Sequence, residues 1–167
     1  MFETSGADLM PVRRVLAMAA DDLAVADDYL ANLLAPSGPD ARARQLAATS
    51  WRSRLWPWTE RGTHRGGVPQ GDQMHRSRIA ANLAVDSVRA VLACTVPEGA
   101  DVLWRRLVND VRWGELGEAV HGLRRDGGMI TPDAVQRALN ALRAADTAIR
   151  RARVGLGMLE ARSDGHS

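Results

Sequence analysis

The sequence predicts an all-α protein: a single-domain bundle of five to six helices over residues 1–162, with the helix at about 72–95 central. Three observations predict it. Composition is the first: the 167 residues include 27 Ala and 18 Leu, against three Ile, one Phe and one Tyr. Strong helix formers dominate, and strand formers are scarce. Apolar residues also recur at helical spacing along most of the chain. Finally, the periodic stretches are separated by Pro- and Gly-rich breakers rather than by the two-residue turns of hairpins. A chain of this length buries a core without covalent staples. The lone Cys94 excludes an internal disulfide and a Cys-based zinc ribbon.

The first helix is expected from about Asp8 to Ala35, with Asp8 as cap and Pro11 in the first turn. Leu9, Val12, Val15, Leu16, Ala19, Leu23, Ala26, Leu30, Leu33 and Leu34 fall in one stripe. Ala35-Pro36-Ser37-Gly38-Pro39 ends it. A second, less regular helix spans Asp40 to about Trp56, with Leu46, Trp51, Leu55 and Trp56 among four Arg, and Pro57 stops it. Residues 57–72 are rich in Gly, Arg and Pro and read as the longest loop.

The third helix, Asp72 to about Thr95, carries apolar residues on most of its circumference. Ile79, Leu83, Ala90 and Cys94 lie on one side, and Val85, Val88, Val91 and Leu92 on the other. That distribution predicts the most buried helix of the bundle, with Cys94 inaccessible. The fourth helix starts near Asp101 and uses Leu103, Trp104, Leu107, Val108 and Val111. Continuing its phase would bury Glu115 and Glu118, so a break is expected at Trp113-Gly114, followed by a short helix to Arg125. Thr131-Pro132-Asp133 starts the last helix, with Val135, Leu139, Leu142, Ala145, Ile149 and Leu156 inward. Residues 163–167 read as a frayed tail.

The formal charge is only +2, but it is unevenly distributed. Residues 1–40 hold two Arg and seven acids, while residues 41–81 hold eight Arg and two acids. Every basic residue is Arg, as codon usage in a GC-rich genome favours and as forked recognition of anions would also use. Between residues 42 and 78, Arg mixes with Trp51, Trp56 and Trp58. Arg54, Trp58, Arg61, His64 and Arg65 form a candidate polyanion-binding set, with Arg on phosphates and Trp stacking on bases. The competing expectation is that these Arg pair with the acids of the first helix. On the third helix, His75, Arg78, Asn82, Asp86 and Arg89 collapse onto one narrow polar strip. Such a strip serves as a solvent edge, an internal ion-pair seam or the wall of a small polar ligand site.

Enzyme and metal motifs do not survive inspection. Asp21, Asp22, Asp27 and Asp28 have a spacing similar to the magnesium-binding acids of isoprenyl-diphosphate synthases. Here Asp21 and Asp28 oppose the apolar stripe while Asp22 and Asp27 flank it far apart, so a shared ion is not expected. Glu115, Glu118 and His121 resemble part of a di-iron bundle motif, but the other half is missing. The helix pair around residues 116–139 has a helix-turn-helix rhythm, with Gln136, Arg137, Asn140, Arg143 and Arg151 outward. No phosphate-cradling Gly motif occurs.

The expectation is therefore a cytoplasmic, non-catalytic helical-bundle binding or adaptor protein without cofactor or metal. It would act through a protein partner or as a homo-oligomer, and away from membranes. The alternative is a nucleic-acid-binding protein using segment 42–78 and the Arg-rich last helix.

Overall fold

The structure is a computed structural model that describes residues 9–34, 70–123 and 130–164. These form α1 (Met10–Leu34), α2 (Gln70–Leu92), α3 (Asp101–Val111), α4 (Trp113–Gly122) and α5 (Pro132–Asp164), with no strand among the described residues. The helix expected over 40–56 and most of the loop after it lie outside the described residues.

Helix boundaries follow local chemistry. At the start of α5 the Ala134 N–H donates to Thr131 Oγ1 at 3.2 Å, and Pro132 takes the first helical position, where its missing N–H loses nothing. The break between α3 and α4 falls on one residue. Arg112 adopts φ 48°, ψ 57°, the left-handed conformation that ends one helix and starts the next. That turn rotates the apolar stripe, so Leu116 and Val120 continue the core begun by Trp104, Leu107 and Val111, while Glu115 and Glu118 stay exposed.

The core is layered. Along α1 a buried seam runs through Val12, Leu16, Ala19, Leu23, Ala26 and Leu30, spaced alternately by four and three, with Ala20 buried beside it. Val135, Ala138, Leu142, Ala145, Ile149, Ala152 and Leu156 repeat that rhythm on α5, and Ser77, Ala81, Ala84, Val88 and Val91 on α2. A seam of average period 3.5 is the signature of helices packing near-parallel, knobs into holes. Large and small residues alternate along it: Leu with Ala on α1, Leu or Ile with Ala on α5.

Ion pairs and hydrogen bonds fix the directions. The Ser77 hydroxyl, whose one proton is shared between the Gln73 carbonyl at 2.8 Å and the Tyr29 carbonyl at 3.2 Å, lies against Tyr29, and the Ser87 hydroxyl donates to the Asp22 carboxylate, so α2 runs antiparallel to α1. Arg143 grips Asp27 in a fork of 2.5 and 3.3 Å, and Arg13 reaches Glu160 at 2.7 Å, so α5 is antiparallel to α1 as well. The α3–α4 pair packs on α5, and α4 also touches α2.

This arrangement corrects the expectation that the helix at 72–95 is central. Among the described residues, α1 lies between α2 and α5, and α5 contacts α1, α3 and α4, whereas α2 packs closely on α1 and only narrowly on α4. The near-complete apolar circumference of α2 is real, but burial is confined to the face centred on Ala81, Ala84, Val88 and Val91, with Ala80 and Val85 at its margins. Ile79, Leu83 and Ala90 point outward, and Cys94 is half-buried rather than inaccessible. The wheel located two apolar faces and could not say which of them has a neighbour.

Candidate interaction surface

Two residues of the polar strip of α2, Arg78 and Arg89, reach α4. The Arg78 Nε donates at 2.8 Å to the carbonyl of Leu123, the residue capping the C-terminus of α4. A cation there meets the negative end of the helix dipole and satisfies an orphan carbonyl. Arg78 Nη2 is buried and has no hydrogen-bond partner among the described residues. Three turns along α2, the Arg89 guanidinium lies 5.4 Å from the centre of the Trp113 ring, at the N-terminal end of α4. Arg89 also pairs with Asp86 at 3.3 Å in the open. The Asn82 side chain donates back to the Arg78 carbonyl at 2.6 Å, and His75, at the N-terminal end of the strip, is exposed. Arg78 and Arg89 thus hold the two ends of α4 against α2.

The opposite side of α2 presents a different surface. Asp22, Val25 and Tyr29 of α1 and Arg76, Ile79, Ala80 and Leu83 of α2 line a groove of about 170 Å³ between the two helices. Ile79 is 46% exposed and Leu83 55% exposed. Met18 lies two turns before Val25 on the same face of α1 and is also exposed, as is Ala90 on α2. Within the groove, Asp22 is engaged by Ser87 at one edge. Isolated apolar side chains on a surface are ordinary, but adjacent ones across two helices form a patch of the kind that proteins bury on binding. Sequence reading placed Ile79 and Leu83 in the core and missed Met18 and Val25. The available signal was that Met18 and Val25 sit seven apart, off the main α1 stripe.

The other sites are distributed as follows. Glu115, Glu118 and His121 line an open trough of about 900 Å³ between α4 and α5, together with Arg112, Arg137 and Asn140. All six side chains are exposed, and Glu115 is paired with Arg112 at 3.5 Å. Among the described residues no group of three or more His, Cys, Asp or Glu is arranged to hold a metal ion. On α1, Asp22 turns to α2 and Asp27 to α5, so the acidic run is split between two neighbours. Arg143 is held by Asp27, and its guanidinium pKa is raised further by that hydrogen bond and charge. Arg151 lies 3.8 Å from Asp110, and Arg150 pairs with Asp146 at 2.7 Å. Much of the basic face of α5 is thus neutralised within the molecule. Arg54, Trp58, Arg61, His64 and Arg65 lie outside the described residues. Among the described residues no helix is long and apolar enough to cross a membrane.

Comparison with protein families, with curated proteins and with solved structures finds no match.

Proposed function

We propose that this protein is a non-catalytic helical-bundle binding protein that acts through protein–protein contacts made by the α1–α2 groove. One observation carries the reading: Ile79 and Leu83, each about half exposed, stand beside Val25 and Tyr29 in an apolar groove between two well-packed helices. Burying such side chains is worth about 25 cal/mol per Å² of apolar area. The groove walls are held by the α1–α2 seam, so little ordering is needed on binding, which keeps the entropic cost low.

A photoreactive residue at position 83, introduced in the native host, tests this. The expected result is one discrete cross-linked protein, either a second copy or a different chain, identified by mass. The same probe at the exposed Arg105 of α3 should not capture it, and adding Ile79→Glu should abolish capture. Identical products from positions 83 and 105 would rule the groove out as the contact.

A further inference from the structure

We draw no further inference here: the strongest candidate, the apolar groove between α1 and α2 around Ile79 and Leu83, is the surface already described, and nothing in the structure shows what covers it.

Discussion

Gly155 faces α3 with no side chain of its own, and a Cβ built there would lie 2.6 Å from Leu103 Cδ1. It continues a position that reads Ala134, Ala141 and Ala148 at intervals of seven, the small-residue side of α5 against which α3 and α4 lie. The obstructing atom is the end of a flexible side chain, so Gly155→Ala should be near neutral: the gain in helix propensity, about 0.8–1 kcal/mol, offsets the shift of Leu103. Gly155→Val has no such room and should cost about 1–3 kcal/mol. Urea unfolding of the two variants separates these outcomes, and equal losses would contradict the contact. Cys94 gives a pH-dependent prediction. Its Sγ lies 3.3 Å from the Ala90 carbonyl, and burial raises its pKa above the ordinary thiol value. Because it is half-buried, an alkylating reagent should label it without unfolding. Near pH 8 labelling should be slower than for a free thiol, and the gap should close as pH rises. In stability, the native state holds its proton to higher pH than the unfolded chain. The thiol therefore contributes fully below the unfolded pKa, and that contribution is lost as pH rises through the folded one.

The element that tests the reading of helix ends is the α3–α4 junction. A non-glycine residue in the left-handed region is strained by roughly 1–2 kcal/mol, and Arg112 accepts that strain to re-aim the core stripe. Its pair with Glu115, 3.5 Å apart and well exposed, adds little. Arg112→Gly should therefore raise stability, by up to about 1 kcal/mol, and Arg112→Val should lower it, as thermal melts would show. At the next boundary, Thr131→Ala removes the acceptor of the Ala134 N–H and should cost about 1 kcal/mol. The breaks at Leu34, Arg112 and Pro132 were legible within one to three residues, because proline, glycine and a change of apolar phase act locally. Left-handed Arg112 was not itself legible. The phase change required a break between Val111 and Leu116, and the sequence placed it at Trp113-Gly114, where a glycine is available.

For the whole molecule, chemically identical substitutions should separate the buried seam from the open face. Leu23 is 1% exposed between α2 and α5, and Leu23→Ala should cost about 2–5 kcal/mol. Leu83 is 55% exposed, so Leu83→Ala should cost under about 1 kcal/mol in the isolated protein. Guanidinium unfolding of both variants reads the difference directly. A large loss at Leu83 would mean that its face is covered in solution.

Sequence alone determined the helical class, the inward stripes of α1 and α5 and the Thr131 cap, because each depends on residues a few positions apart; the expected Asp8 cap lies outside the described residues. Leu23, Leu142 and Ile149 fell on stripes with polar residues opposite, and such a stripe has only one face to bury. On α2 that rule gives no answer. Val88 and Leu83 are both apolar, they lie on different faces, and periodicity ranks neither above the other. Tertiary packing chose the Ala81–Ala84–Val88–Val91 face, whose small residues let α2 close onto α1 with the Ser77 and Ser87 bonds formed. Likewise, the spacing of Arg78 and Arg89 showed a strip but not its neighbour. Only the approach of α4 turned them towards Leu123 and Trp113, and left the Ile79–Leu83 face to the outside.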